Sequence, residues 1–318
     1  MYYLGIDLGG TNTVAGIVDG DYNIVNKVSL KTPKGDAARE VMDCIYEASV
    51  MAIEESGIDR SQIKCAGIGC PGTVNPIAGV VEYSNNVIMK NVHMREYLEP
   101  KLGMPFHMAN DANAAAFGEY IAGAAKGAKD VIVITLGTGL GGGIIIGGKI
   151  YCGFNFGGAE LGHMIIEKDG ADCTCGSKGC FEAYGSATAL IRMTRERMEQ
   201  DKNTLMWEIT QGSIENAKGR TAFDAMKKGD KAATEVVDMY LSYLSCGIIG
   251  LINIFQPEIF CIGGGISNEG DNLLLPLKKL VSGSTYGKDA AKQTKLCIAS
   301  LKGDAGLIGA AMLWGNDS

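Results

Sequence analysis

YYLGIDLGGTNTVAGIVDG, residues 2–20, recurs in outline as VIVITLGTGLGGGIIIGG, residues 131–148. Each copy reads as an apolar strand, a glycine turn, a second apolar strand and another glycine turn. A constant offset of 128 residues aligns Asp7 with Thr135, Gly9 with Gly137 and Gly20 with Gly148. This pattern predicts an internal duplication, in which two related α/β halves face each other across a cleft of the kind where small ligands bind.

Outside the two copies, apolar periodicity and turn residues predict further elements. We expect strands at residues 23–31, 63–69, 106–109 and 258–262. We expect helices from an Asp36 N-cap to about residue 56, and near residues 94–102, 111–120, 181–200, 222–228 and 304–314, with a long apolar helix that ends near Phe255.

Composition restricts the class of protein. A chain of 318 residues with 46% hydrophobic and 20% charged residues predicts a compact protein of about two domains. The 45 glycines indicate that a ligand lies against bare backbone. The net charge of −7, without a cluster of Lys or Arg longer than a pair, argues against nucleic acid or an anionic membrane as partner.

Two observations predict a cytoplasmic protein. The N-terminus MYYLGIDLGG lacks the basic region and apolar core of a signal peptide. The stretch 239–257 is uncharged and long enough to raise the question of a membrane span, but it contains several polar residues and ends at Pro257. We therefore expect a buried core helix there.

The run Gly137–Gly142 satisfies the dinucleotide-binding pattern GxGxxG, which requires a helix to follow. The residues that follow are β-branched and turn again, so we predict a hairpin instead. Such a turn can present successive N–H groups to phosphate oxygens, and Gly9-Gly10-Thr11 offers a second one. Asp7, just before it, could reach a Mg²⁺ ion shared with the phosphates. The alternative is that both turns are ordinary tight hairpins.

Asp111, in Asn110-Asp111-Ala112-Asn113, lies where a predicted strand ends and a helix begins. It has two interpretations: a helix N-cap, or a general base for a hydroxyl that attacks a γ-phosphate.

A histidine and three cysteines form the strongest local motif: His163, Cys173, Cys175 and Cys180 lie within 18 residues, with glycines that permit tight loops. A Cys₃His set in a disulfide-poor protein predicts a closed structural Zn²⁺ site. Glu160 and Glu182 bracket this loop, so zinc would hold polar side chains towards the cleft, where polyols are bound by carboxylates and imidazole.

Together these residues resemble the ROK family of sugar kinases, within the actin-like ATPase superfamily. The resemblance covers essentially the whole chain, through Ile6–Thr11, Gly69–Gly72, Asn110–Asn113, Glu160-x-Gly-His163, the cysteine loop with Glu182, and Gly263–Gly265. It implies a two-domain actin-like ATPase (ribonuclease H-like) α/β fold with duplicated mixed β-sheet cores. We expect a small N-terminal domain of residues 1–110 plus 303–318, and a large domain of residues 111–302 that carries the zinc loop.

The resemblance also implies a role for individual residues. Asp111 would be the base that activates the sugar 6-hydroxyl. The sugar would be bound by Gly72, Asn110, Asp111, Glu160, His163 and Glu182, with His163 also a zinc ligand. ATP and Mg²⁺ would be bound by Asp7, Gly9, Gly10, Thr11, Gly137, Thr138, Gly139 and Gly264.

The resulting hypothesis is an ATP-dependent hexokinase that phosphorylates glucose at the 6-hydroxyl to give glucose 6-phosphate. N-acetylmannosamine, N-acetylglucosamine, fructose and allose remain open as substrates, and a non-catalytic sugar-sensing regulator is the alternative from another class. Some ROK proteins are repressors that carry an N-terminal helix-turn-helix; because the phosphate motif begins within ten residues of Met1, we do not expect that domain here. Many members of the family are dimers, so we expect a homodimer that closes its cleft around substrate.

Overall fold

A computed structural model describes residues 1–35, 38–85 and 87–316. Its strands are β1 (Tyr2–Leu8), β2 (Asn12–Asp19), β3 (Ile24–Lys31), β4 (Ile63–Cys70), β5 (Thr73–Asn75), β6 (Val80–Ser84), β7 (Met89–Val92), β8 (Phe106–Asn110), β9 (Val131–Leu136), β10 (Leu140–Ile146), β11 (Lys149–Ile150), β12 (Ile259–Gly263) and β13 (Lys295–Ile298). Its helices are α1 (Ala38–Ser56), α2 (Met94–Leu102), α3 (Asp111–Ile121), α4 (Glu182–Gly185), α5 (Ala187–Gln200), α6 (Met206–Ile209), α7 (Thr221–Lys227), α8 (Lys231–Phe255), α9 (Asp271–Ser282) and α10 (Ala305–Ala311).

Two five-stranded sheets have the same order of strands. In the first the order is β3-β2-β1-β4-β8, and in the second it is β11-β10-β9-β12-β13. Each sheet therefore contains three consecutive strands followed by two strands from later in the chain. In the first sheet β1 is antiparallel to β2 and parallel to β4, and in the second β12 is parallel to β13. The shared order agrees with the predicted duplication. A third, three-stranded sheet has the order β5-β6-β7.

By its internal contacts the chain divides into two compact units. Unit 1 comprises Met1–Val131, Gly143–Ala159 and Ser300–Ser318, and unit 2 comprises Ile132–Gly142 and Glu160–Ala299. In this division α3 belongs to unit 1, whereas the expected boundary lies at residue 110. The two units are described separately below.

Unit 1 is built on the first sheet. Helix α1 packs on β2, β3 and β1 of this sheet, and its apolar face includes Val41, Ile45 and Ala48. The last helix, α10, packs on β1, β4 and α3. The segment before it is tied to α3 by the buried Glu119 carboxylate, which accepts hydrogen bonds from the N–H groups of Ser300 (3.1 Å) and Leu301 (2.7 Å). The C-terminal segment thus completes the core of unit 1.

Unit 2 is organised around α8, which packs against α4, α5, α7 and α9. By length and composition, α8 could cross a membrane, and half of its most apolar stretch is buried within the structure. Its Tyr240 hydroxyl is fully buried and donates to the carbonyl of Gly185 (2.8 Å). These contacts are those of a core helix, as the sequence predicts.

One predicted helix is interrupted in the structure. The helix expected over residues 181–200 is interrupted at Ser186, whose extended backbone separates α4 from α5 and whose hydroxyl caps α5 by accepting from the N–H of Ala189 (3.1 Å). The expected Asp36 N-cap lies outside the described residues. Helix α2 has the predicted bounds.

Candidate functional site

The first glycine turn, residues 9–11, connects β1 to β2 in unit 1. The Thr32 hydroxyl donates to the carbonyl of Gly9 (2.7 Å), and the Thr32 N–H donates to the carbonyl of Thr11 (3.1 Å). Within the described ranges, the N–H groups of Gly10 and Thr11 donate to no other protein group. With the carbonyls of Gly9 and Thr11 engaged by Thr32, the turn has two N–H groups available for a phosphate.

The second glycine turn, residues 137–139, connects β9 to β10 and has a similar arrangement. The N–H of Gly137 donates to the carbonyl of Gly139 (3.0 Å), and the Thr188 hydroxyl donates to the carbonyl of Thr138 (2.7 Å). The N–H groups of Thr138 and Gly139 have no acceptor among the residues that the structure describes. Gly264 follows β12 and packs against the backbone of Leu136, one residue before this turn.

Two carboxylates of unit 1 interact electrostatically. Asp7 lies near the end of β1, and Asp111 is the first residue of α3. Burial, and then the negative charge of Asp111, raise the pKa of Asp7 to about 6. Burial also raises the pKa of Asp111, against the opposing effect of the Ala112 N–H, which donates to its Oδ1 (2.9 Å). A divalent cation or a proton would relieve this repulsion.

The amide side chain of Asn110 holds the start of α3. Its Oδ1 accepts from the N–H groups of Ala112 (2.9 Å) and Asn113 (3.1 Å), so Asn110 is the N-cap and Asp111 is not. Its Nδ2 donates to the carbonyl of Gly72 (3.1 Å). Gly72 has φ of +93°, and a Cβ there would collide with the carbonyl of Tyr83. The structure thus brings three predicted sugar-binding residues, Gly72, Asn110 and Asp111, into one corner of unit 1.

The four predicted metal ligands of unit 2 converge. The ligand atoms of His163, Cys173, Cys175 and Cys180 all lie within 4.8 Å of one another. The distances from His163 Nδ1 to Cys173 Sγ and from Cys175 Sγ to Cys180 Sγ are both 3.7 Å. A tetrahedral site with Zn–S bonds of about 2.3 Å requires sulfur atoms about 3.8 Å apart, so the two short distances and the 4.8 Å limit are compatible with zinc.

The environment of the thiols also fits a metal. Hydrogen bonds from the N–H and hydroxyl of Ser177 lower the pKa of Cys175 to about 7, which favours the thiolate that binds metals. Burial, followed by the neighbouring thiols, raises the pKa of Cys180 to about 12. A cation is therefore needed to hold three thiolates in this space. The loop is anchored by Tyr184, whose hydroxyl accepts from the N–H of Ala171 (2.7 Å) and whose ring stacks on Tyr243 of α8.

Glu182, the first residue of α4, connects this loop to the second glycine turn. Its Oε1 accepts from the Thr174 hydroxyl (3.1 Å), and its Oε2 accepts from the N–H of Leu140 (2.9 Å). A Cβ at Gly139 would collide with Oε2, so this close approach requires glycine. Glu160 lies at the other end of the loop, where its carbonyl accepts from the N–H of His163 (3.0 Å).

Comparison with known proteins places the chain in a family. Residues 3–317 match the model of the ROK family. The chain belongs to the ROK family. It is 37% identical over 316 residues to a glucokinase of Thermotoga maritima, and 36% identical over 312 residues to one of Streptomyces coelicolor; each alignment covers 98% of this chain and 96% of the relative.

A solved structure agrees with these relatives. The ROK family glucokinase from Streptomyces griseus in complex with glucose and AMPPNP aligns with a TM-score of 0.83 and 36% identity, covering 98% of this chain and 99% of that one. The family and the actin-like ATPase fold that the sequence predicts are therefore confirmed.

Three residues of this ROK protein that position the site were not predicted. Thr32 and Thr188 hold the carbonyls of the two turns from 21 or more residues away in the chain, and no sequence signal marks them. Asn113 is 4% exposed, and its Oδ1 has no partner within the described residues. It lines a cavity of about 30 Å³ beside Asn110, which has room for a water molecule. The position of Asn113 in the Asn-Asp-Ala-Asn motif was the one feature of the sequence that could have indicated its place in the site.

Proposed function

We propose that this chain transfers the γ-phosphoryl group of ATP to the 6-hydroxyl of a hexose, glucose first among them, with Asp111 as the general base. The observation that carries the proposal is the position of Asp111: a partly buried carboxylate with a raised pKa at the start of α3, beside the amide of Asn110. The named functions of the relatives, glucokinases over nearly their whole length, support the same reaction.

In the proposed reaction, the Asp111 carboxylate accepts the proton of the sugar 6-hydroxyl. The oxygen of that hydroxyl bonds to the γ-phosphorus as the bond to ADP breaks and ADP leaves. A base with a raised pKa shares the proton more evenly with the alcohol than an ordinary aspartate does. Asn110 fixes the first turn of α3, so it orients Asp111 as well as presenting its own amide to the sugar.

We propose that the two turns bind the phosphates of ATP. The free N–H groups of Gly10, Thr11, Thr138 and Gly139 are the donors, with Gly9 and Gly137 shaping the turns. Asp7 would hold Mg²⁺, which lowers the charge repulsion between the phosphates and the site. The segment at Gly264 would pack against adenosine.

For the sugar, Gly72, Asn110, Asp111, Glu160, His163 and Glu182 form the proposed set. The cysteine loop would hold one structural Zn²⁺ through Cys173, Cys175, Cys180 and His163 Nδ1. This leaves His163 Nε2 for a hydroxyl and keeps Glu182 in the position that Thr174 and Leu140 define.

The test is ADP release from MgATP with a panel of hexoses and N-acetylhexosamines. We expect turnover with glucose, and a loss of about 10³-fold in kcat for Asp111→Asn, which keeps the shape and removes the base. The matched control is Asp130→Asn, a change of the same kind at a carboxylate that accepts from the N–H of Gly147 in unit 1. Near-normal turnover by Asp111→Asn would refute the assignment of the base.

The panel also separates the alternatives. A kcat/KM that is highest for N-acetylmannosamine, N-acetylglucosamine, fructose or allose would keep the chemistry and change the substrate. Saturable sugar binding without any ADP release would favour a non-catalytic sugar sensor. The retained carboxylate at position 111 favours the kinase, because a sensor does not need a base.

We further propose a cytoplasmic homodimer that has no nucleic-acid or membrane partner. Exposed apolar side chains on α8, Met239 at 50% and Ile254 at 67%, supply surface for a second copy of the chain. Light scattering on the purified protein measures the oligomeric state directly.

A further inference from the structure

A second cavity lies in unit 2, away from both the glycine turn and the cysteine loop. It measures about 420 Å³, within the range of about 300–1,000 Å³ typical of small-molecule sites. Gln256 and Leu296 place it before β12 and at the beginning of β13. The Gly264 segment that would contact adenosine follows the opposite end of β12, so the cavity is separate from the proposed nucleotide site.

The rim of the cavity is positively charged. Lys278, Lys279, Lys288 and Lys295 line it, and no carboxylate does. Among the described residues, none of these four ammonium groups forms an ion pair, whereas other lysines, such as Lys227 with Glu269, do. Four unpaired cations around one cavity are unexpected in a chain with more acidic than basic residues. An anion in the cavity would be attracted by these charges.

Helix electrostatics accounts for only part of this charge. Lys279 is in the last turn of α9, where a cation is favourable because of the helix dipole. Lys288 and Lys295 lie outside the helix, after its end and at the first residue of β13. Within the part of the chain that the structure describes, no ion pair and no helix end therefore accounts for the charges of these two lysines.

The floor of the cavity is apolar and carries a threonine hydroxyl. Ile252, Val281 and Leu296 are buried beneath the lysines. Thr285, which is 6% exposed, adds a hydroxyl to this lining. A hydroxyl in the lining of a cavity can donate a hydrogen bond to a ligand or accept one from it.

We propose that this cavity binds a phosphate monoester with a compact ring-shaped body. The phosphate would lie among the lysines, which bind phosphate as point charges, and the ring would cover the apolar floor. The Thr285 hydroxyl would hydrogen-bond to the ligand. The site is independent of the proposed kinase reaction and uses none of its residues.

Phenyl phosphate is the probe, and the full chain with labelled isoleucine methyl groups is the reporter. We expect the Ile252 methyl signal to shift saturably, with a Kd of about 1 mM or tighter. Higher salt should weaken the binding, because the attraction is electrostatic at an exposed rim. Inorganic phosphate, which has the anion without a ring, and benzyl alcohol, which has a neutral ring without the anion, should bind at least about 5-fold more weakly.

Matched variants locate the interaction. Lys288→Gln/Lys295→Gln should weaken phenyl phosphate binding about 10-fold, and Thr285→Val about 3-fold. The control Lys168→Gln/Lys231→Gln removes the same number of positive charges outside the cavity. It should change the affinity for phenyl phosphate by less than about 2-fold. Unchanged melting temperatures would show that the exposed lysine variants are folded.

Three results would overturn the proposal. An Ile252 signal that does not move means that the probe binds elsewhere or not at all. Equal weakening by the control pair means general attraction to a basic surface. Equal binding of inorganic phosphate or benzyl alcohol means that the cavity does not recognise the combined ligand.

Discussion

The turn at residues 9–11 and the turn at residues 137–139 are built alike and surrounded differently. In each, a threonine hydroxyl holds a turn carbonyl, and two N–H groups have no acceptor within the described residues. The acid differs. Asp7 precedes the first turn by two residues, where the second half has Thr135. The second turn instead receives the Glu182 carboxylate, which arrives from the cysteine loop and contacts Leu140. The two halves therefore share the backbone structure of the turn, but their carboxylates come from different positions in the chain.

In the comparison of the two turns, the largest effect should come from removing the carboxylate of Asp7, which precedes only the first turn. Asp7→Asn keeps the side chain's shape but removes the charge that would hold Mg²⁺. We expect kcat for ADP release to fall by about 100-fold or more, because the charge of the transferring phosphoryl group is then poorly balanced. Thr135→Val, at the equivalent position of the second half, should change kcat by less than about 3-fold. Equal losses in the two variants would mean that the halves do not differ as described.

The second-largest effect should come from removing the zinc site, because the cysteine loop holds Glu182, the carboxylate at the second glycine turn. Cys173→Ser should reduce bound zinc from about one ion per chain to almost none, and lower the melting temperature. Because Thr174 and the rest of the loop hold Glu182, the KM for glucose should rise about 10-fold or more. The KM for ATP should rise much less. Metal content is measured by elemental analysis beside the kinetics.

Cys246→Ser is the matched control for the zinc prediction, since Cys246 is exposed on α8 and outside the cluster. It should keep both the metal and the glucose KM. An active, stable preparation of the unaltered protein without zinc would contradict the structural role of the metal.

The third effect is on stability and follows from the raised pKa of Asp7. The folded chain binds this proton more tightly than the unfolded chain, because the pKa rises from 3.8 to about 6. The resulting stabilisation is fully present below about pH 4 and is lost as the pH rises through about 6. Asp7→Asn should therefore raise the free energy of unfolding at pH 7.5 by about 2 kcal/mol and leave it nearly unchanged near pH 4.

Asp19 provides a control of opposite sign in the same unit. Hydrogen bonds from Asn23 lower its pKa, so its contribution is present above the unfolded pKa and lost as the pH falls. Asp19→Asn should not stabilise the protein at pH 7.5. Denaturant unfolding at both pH values measures the difference, and a stabilisation by Asp7→Asn that does not depend on pH would contradict the proposed cause.

Local patterns carried much of the fold and of the site. The recurring strand and turn pattern at Gly9 and Gly137 predicted the two related sheets, because alternation and glycine turns are encoded within a few residues. The spacing of His163 and the three cysteines predicted the cluster for the same reason. The helix expected over residues 181–200 was wrong at one point, since Ser186 caps a new helix inside an otherwise helical pattern.

The remainder depends on contacts between residues that are distant in sequence. Asn110, not Asp111, caps α3, and both residue types are good N-caps, so the sequence left the choice open. The basic cavity draws its lysines from α9, a loop and β13, and each of these lysines looks like an ordinary surface residue by itself. Only the folded chain shows that they surround one space.

The smallest effect compares the two threonines that hold the turns. Thr32 is 4% exposed, and its hydroxyl also contacts that of Thr13 (3.0 Å), so Thr32→Val leaves a buried hydroxyl and the Gly9 carbonyl without this partner. We expect a loss of about 1–3 kcal/mol in stability and a rise of about 5-fold in the KM for ATP. Thr188 is exposed, so water can replace its hydroxyl in Thr188→Val, and the KM should rise by less than about 2-fold. An equal rise in both variants would show that burial does not set the rigidity of the turns. No rise in either would mean that the turns keep their shape through the glycines alone, and that the threonines are not needed to present the N–H groups.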